Sequence, residues 1–302
     1  MQLQLQYYEM LLRRAIVDQQ QLAVLRSKYH TLLSGVTGEK RVLFELKELQ
    51  LPHYFIHNFT TKNQFGHTVQ IDIIFVCSHF VMILEVKNIS GRIDFDDQRR
   101  QLIRTRIDGQ QESFMNPVDQ VKRHQQYLES LLVTSAAYIP VESAVVIANP
   151  STMIGRISSE VAIFNVSGLR SKITELVKKY ADVSLNMRRV RDFIKSEALQ
   201  PTFPKLDYPI KEGVLCLACG EVMILSKRGF KCYKCNCWDS SHAALKKALS
   251  DYKMLAGNEI TNVAFRRFMR VHSSRTAHKY LVELNLPHKG EHRGRVYLLD
   301  DY

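Results

Sequence analysis

The sequence predicts an α/β protein: a mixed sheet flanked by helices, followed by a small cysteine-clamped module and a mainly helical C-terminal segment. Three observations carry this expectation. Residues 35–166 alternate short apolar runs of strand type with stretches of helical spacing. Pro201, Pro204 and Pro209 then mark a linker. Beyond it, five of the six cysteines fall between Cys216 and Cys237, and the apolar residues that follow return to helical spacing.

Taken in order, residues 1–34 space Leu11, Leu12, Ala15, Leu22, Leu25, Leu32 and Leu33 as one or two amphipathic helices suited to packing or self-association. After Ser34-Gly35 a second helix is expected from about Thr37, with Val42, Leu43, Leu46 and Leu49 on one face and Pro52 beyond its end. Strand-like runs follow at Tyr54 to Phe59, Val69 to Val76 and Phe80 to Lys87, the last two close enough to form a hairpin. Arg92 to Phe95 and Gln101 to Ile107 read as a further, more exposed pair. Asn116-Pro117 opens a helix that faces the core through Val118, Val121, Tyr127, Leu128, Leu131 and Leu132. Glu142 to Ala148 and Glu160 to Val166 are short apolar strands, and Leu169 to Lys195 holds two charged helices. The expected division is 1–34 amphipathic helices, 35–166 α/β domain, 167–210 helical extension and linker, 211–239 cysteine module, and 240–302 C-terminal helical domain.

With 302 residues, 45% hydrophobic and 24% charged, the chain can bury a full-sized core. Its most apolar stretch, Ile71 to Val86, is interrupted by Asp72, Ser78, His79 and Glu85, which argues against a membrane span. The first thirty residues lack the pattern of a signal peptide, so the cytoplasm is the expected compartment. The net charge of +12 is unevenly placed: residues 35–150 hold 12 basic and 13 acidic side chains, and the surplus lies downstream. Such a surplus suits a polyanionic partner, nucleic acid above all.

In an extended strand alternate side chains share a face, so Glu85 and Lys87 project together from the end of an apolar strand. In the preceding strand Asp72 interrupts Ile71, Ile73, Ile74 and Phe75, where a lone carboxylate is costly without a partner or a metal. Glu39, at the start of its helix, could approach the same place. Carboxylates and a lysine converging at strand ends can hold Mg2+ or Mn2+ and set an ammonium beside a phosphate, an arrangement suited to phosphodiester hydrolysis. The alternative is a strand-start aspartate and an exposed Glu85–Lys87 salt bridge.

The succession Gly38-Glu39-Lys40-Arg41-Val42, Ile71-Asp72, Glu85-Val86-Lys87-Asn88 with Gly91, and Asn116-Pro117-Val118-Asp119-Gln120 resembles the nuclease-related domain called NERD. That domain belongs to the PD-(D/E)XK superfamily, near the Mrr-like restriction endonucleases. The resemblance covers roughly residues 34–150 and implies a restriction-endonuclease-like sheet. It also implies Asp72 and Glu85 as Mg2+ or Mn2+ ligands, Lys87 as the motif lysine, Glu39 as the helix carboxylate and Gln120 as a polar contribution from the later helix. Ile71 stands where the superfamily's formal name has proline. His124, one turn beyond Gln120, reads as a surface histidine, with a phosphate contact as the alternative.

Cys216, Cys219, Cys232 and Cys235 make C-x2-C-x12-C-x2-C, two knuckles able to grip one tetrahedral Zn2+. Cys237 is a competing fourth ligand, but two matched pairs favour Cys235. The segment is similar to topoisomerase-type zinc ribbons, and four thiolates leave no open position for water, so the zinc is expected to be structural. Lys227, Arg228, Lys231 and Lys234 give the ribbon a basic surface suited to phosphates.

Ala243 to Leu255, Asn262 to Met269 and Ser274 to Leu284 have helical spacing, and a basic hairpin is expected from Gly290 to Leu299. The pattern resembles a winged helix, in which Arg275, Thr276, His278 and Lys279 would read a groove and Arg293 and Arg295 would touch the backbone. A helical dimerisation tail is the competing reading. Together these features predict a metal-dependent nuclease that binds nucleic acid, with DNA expected, and no membrane. A homo-oligomer formed through the N-terminal helices is a further expectation. The rivals are a non-catalytic nucleic-acid-binding protein and a scaffold, the latter leaving the ribbon unexplained.

Overall fold

The computed structural model describes residues 2–133, 138–199 and 208–299. Pro201 and Pro204, two of the three linker prolines, lie outside the described residues. By contacts the chain forms two units, one of residues 31–202 and one of residues 2–30 with 203–302.

Helix α1, Gln2–Arg14, is followed by the long α2, Gln19–Lys47. Asp18 starts α2 by a reciprocal cap: its Oδ1 accepts from Gln21 N at 2.7 Å, and Gln21 Oε1 accepts from Asp18 N at 3.2 Å. The expected break at Ser34-Gly35 is absent, and α2 runs through both Gly35 and Gly38. Gly38 permits close approach rather than ending the helix, since a Cβ there would stand 2.8 Å from Asn88 Cβ and 3.3 Å from Val86 and Ala148.

The first unit continues with β1 His53–Lys62, β2 Thr68–Cys77, β3 Val81–Lys87, β4 Arg92–Asp96, β5 Gln101–Thr105 and β6 Gln111–Met115. It is completed by α3 Pro117–Leu132, β7 Val141–Ile147, β8 Met153–Ile154, β9 Ala162–Asn165, α4 Leu169–Lys179 and α5 Met187–Ser196. The main sheet has the order β1-β2-β3-β7-β9, antiparallel through β3 and parallel from β3 to β9. Its central strands are buried on both faces, so they read as nearly continuous apolar runs. On one face Ile74, Ile83 and Val145 pack with Val118, Val121 and Leu128 of α3 and Ile194 of α5. On the other, Ile73, Met82 and Leu84 pack with Val42 and Leu46 of α2 and Ile173 of α4. The predicted exposed pair is a larger sheet of order β6-β5-β4-β8. Strand β6 escaped prediction because Gln111, Glu112 and Ser113 show no apolar alternation; its register with β5 sustains it.

The second unit holds α1, the start of α2, and then β10 Ile224–Ser226, β11 Gly229–Lys231, β12 Trp238–Asp239, α6 Ser241–Ala256, β13 Glu259–Thr261, α7 Asn262–Met269, α8 Ser274–Glu283, β14 His288–Lys289 and β15 Val296–Leu298. Strands β10-β11-β12 form an antiparallel ribbon, and β13-β15-β14 form a second antiparallel sheet. One core joins them: Met223 and Phe230 of the ribbon pack with Leu245, Leu249, Phe265, Leu281 and Tyr297. Helix α1 buries Tyr7, Met10 and Leu11. Its last residue, Arg14, is 1% exposed, with Nε 2.6 Å from Asp251 Oδ2 and Nη1 2.9 Å from the carbonyls of Lys211 and Gly213. Among the described residues no helix is long and apolar enough to cross a membrane.

Candidate active site

Strands β2 and β3 pair with Ile73 opposite Leu84, and one further step of this register sets Asp72 opposite Glu85 on one sheet face. Asp72 Oδ2 accepts from the Val86 amide at 2.9 Å. Glu85 is 1% exposed, and Lys87, two residues on, returns along the same face to put Nζ 2.6 Å from Glu85 Oε1. Helix α3 is started over this face by Asn116, whose Oδ1 accepts from Val118 N at 3.0 Å, and by Pro117 in its first turn. Gln120 and His124 therefore lie one above the other. Gln120 Oε1 is 3.4 Å from Lys87 Nζ, and His124 Nδ1 is 3.7 Å from Glu85 Oε2. Glu39 is wholly buried and comes from within α2, not from a helix start. Its Oε2 is engaged by His57 Nε2 and approached by Asn58 Nδ2.

Charges crowd here in a dry place. Burial, and then the Glu85 carboxylate, push Asp72 up to about 7. Burial also raises Glu85, against the pull of Lys87. His124 goes the other way, down to about 4 through burial and the nearby Arg123 and Lys87, so its imidazole is neutral at pH 7. Glu39 Oε1, Glu85 Oε2 and His124 Nδ1 are buried without hydrogen-bond partners. Unpartnered carboxylate oxygens are costly in an interior, and these hard donors fit a divalent cation such as Mg2+ or Mn2+. They are less tightly drawn than the cysteines: among the described residues only Cys216, Cys219, Cys232 and Cys235 bring three or more potential ligand atoms all within 4.8 Å of one another.

Three residues of this cluster were not assigned from the sequence. His124 is not a surface histidine, its side chain being 12% exposed; its place one turn past Gln120 was the available signal. Asn58 takes φ 54° in the middle of β1, across from Asp72 in the register that pairs His57 with Ile73 and Phe59 with Ile71. A lone asparagine within an apolar strand run was its signal, since asparagine tolerates this backbone region better than most residues. Nothing local marks His57, which depends on strand pairing and on α2 to meet Glu39.

In the second unit the Sγ atoms of Cys216 and Cys235 lie 3.5 Å apart and those of Cys219 and Cys232 3.4 Å apart. The four-cysteine cluster could bind a metal such as zinc. Gly220, at φ +71°, turns the first knuckle, while Asn236, at φ 58°, serves the second. Cys237 stands outside the cluster. Lys227 and Arg228 are exposed, and Lys231 is half-buried with Nζ 4.9 Å from the Tyr233 ring and 5.4 Å from that of Trp238. Lys234 is paired with Glu221 at 3.0 Å. On α8, Arg275, His278 and Lys279 are exposed, Thr276 less so, and Arg295 is half-buried; the Arg293 side chain lies outside the described residues.

An α/β domain with buried carboxylates and a lysine at one end of a mixed sheet is thus the class that fold and site define. Residues 34–148 match the model of the NERD family, the nuclease-related domain. Over 113 residues the chain is 31% identical to an uncharacterized protein of Bacillus anthracis, covering 35% of this chain and 53% of that protein. The chain therefore spans about half the length of this curated relative. No solved structure matches the chain.

Proposed function

We propose that the chain is a cytoplasmic, divalent-metal-dependent nuclease that hydrolyses phosphodiester bonds, with DNA as substrate. The observation that supports it best is the pairing of Asp72 with Glu85 across β2 and β3, with a carboxylate oxygen left unpartnered in a dry site and Lys87 held between Glu85 and Gln120. Asp72 and Glu85 would hold Mg2+ or Mn2+, which when bound supplies charge stabilisation and an activated water. Lys87 places an ammonium where a phosphate oxygen can be neutralised, and Gln120 orients that ammonium. Glu39, kept in place by His57 and Asn58, adds a carboxylate oxygen to the same cluster.

Binding is assigned to the second unit. Zinc in the four-cysteine site would be structural and would present Lys227, Arg228 and Lys231 to phosphates. The succession α6-β13-α7-α8-β14-β15, with sheet order β13-β15-β14, supports a winged helix in which α8 offers Arg275 and Lys279 and the β14–β15 connection carries Arg293 and Arg295. A second reading, nucleic-acid binding without cleavage, is favoured by the spread of the carboxylates relative to the cysteine cluster. Cleavage of a panel of single- and double-stranded DNA and RNA with Mg2+ or Mn2+ separates the two. Lys87→Ala and Asp72→Ala are expected to lower the rate by about 100-fold or more, the scale of losing one electrostatic contributor. Equal cleavage by all three proteins refutes the assignment, and tight binding without cleavage by the unsubstituted protein selects the second reading.

A further inference from the structure

Glu85 gives one carboxylate oxygen to Lys87 and leaves the other, Oε2, buried and unpartnered. Facing it at 3.7 Å is His124 Nδ1, itself buried and unpartnered. That separation is too long for a hydrogen bond, which would draw the atoms to about 3 Å. It is close to that of two ligands of one ion: donors about 2.1 Å from a shared cation and roughly 90–120° apart about it stand some 3.0–3.6 Å from each other.

We propose that His124, through Nδ1, is a ligand of the divalent cation that Glu85 holds, and that this nitrogen makes the site favour a transition-metal ion such as Mn2+ over Mg2+. The proposal rests on the metal-dependent reading above and adds the selectivity of that site. Mg2+ binds oxygen donors and keeps its waters, whereas an imidazole nitrogen is a donor that first-row transition metals accept readily. Position 124 suits the role because α3 holds it over the sheet face that carries Asp72, Glu85 and Lys87, with Gln120 one turn before it. His57 serves a different purpose, since its Nε2 is already engaged by Glu39.

The test is Mn2+ binding to the 302-residue protein purified without chelator, followed by electron paramagnetic resonance, with the pulsed spectrum reading nitrogen coupled to the ion. An imidazole coupling is expected in the unsubstituted protein, altered by 15N-histidine labelling, retained in His57→Gln and lost in His124→Gln. The same His124→Gln change should weaken Mn2+ binding by about 10-fold or more, because even outer-shell partners of metal ligands contribute about 10–100-fold. Mg2+ affinity, measured by competition, should change much less. Mn2+ bound through Asp72 but without histidine coupling, or with a coupling that survives His124→Gln, overturns this proposal and leaves the metal-dependent reading standing. Absence of Mn2+ binding, alike in the unsubstituted protein and Asp72→Ala, overturns both.

Discussion

Replacing Asp72 by asparagine should make the protein more stable, and by more at high pH than at low. In the folded protein Asp72 titrates near 7, against an ordinary value of 3.8. Between those pH values the folded state keeps a proton that the unfolded chain has released. The unfolded state then binds fewer protons, so stability falls as pH rises from about 4 to about 7 and stays at the lower level above that. At about 1.4 kcal/mol per tenfold change in proton concentration, this costs about 2 kcal/mol at pH 5 and at most about 4 kcal/mol at pH 8. The introduced asparagine would still offer Val86 an accepting oxygen and would carry no charge toward Glu85. Native-state hydrogen exchange of the β2 and β3 amides, at pH 5 and pH 8 without added Mg2+ or Mn2+, measures the gain. Adding Mn2+ should then stabilise the unsubstituted protein, by about 2.7 kcal/mol at 100 times its dissociation constant, and leave Asp72→Asn unchanged. A variant that is less stable at pH 8, or one whose gain is equal at both pH values, would refute the reasoning.

Purified without chelator, the protein should contain one zinc per chain by elemental analysis, and Cys216→Ser with Cys219→Ser should remove it. Because Cys216 and Cys232 belong to the core shared with α6, α7 and α8, that double variant should also lose protection from hydrogen exchange in those helices. Arg275→Ala and Lys279→Ala should each flatten the dependence of DNA affinity on salt, by about 0.9 in logarithmic slope for each phosphate no longer neutralised. An unchanged slope in both would remove α8 from the interface.

Strands β2 and β3 were legible in the sequence because burial on both faces leaves long apolar runs in which Asp72 and Glu85 stand out. The Glu85-x-Lys87 spacing by itself puts both side chains on one face, Glu39 was a candidate from its place in the helix, and the resemblance supplied the role of Glu39 and added Gln120. What stayed hidden depends on distant partners. Ser34-Gly35 reads locally as a helix boundary, yet α2 runs through it, and the need for glycine at position 38 shows only in its closeness to Asn88, Val86 and Ala148. Strand β6 has no periodic signal of its own and exists through its register with β5. His57 and His124 acquire their roles from the carboxylates they meet, Glu39 and Glu85, which lie 18 and 39 positions away in the chain.

The buried pairing of Arg14 with Asp251 also bears on the order in which the chain can be assembled as it is made. The two residues are separated by 237 positions, so the first helix emerges from the ribosome long before its partner exists. Residues 31–202, which form a compact unit of their own, are complete well before Asp251 is made. Meanwhile Tyr7, Met10 and Leu11 have Leu25 for a partner but lack Tyr208, Met254 and Leu255, which pack against them in the finished unit. Synthesis that stops before Asp251 leaves Arg14 without its carboxylate, whereas passing that residue lets residues 2–30 close with the segment that follows residue 203 into one unit.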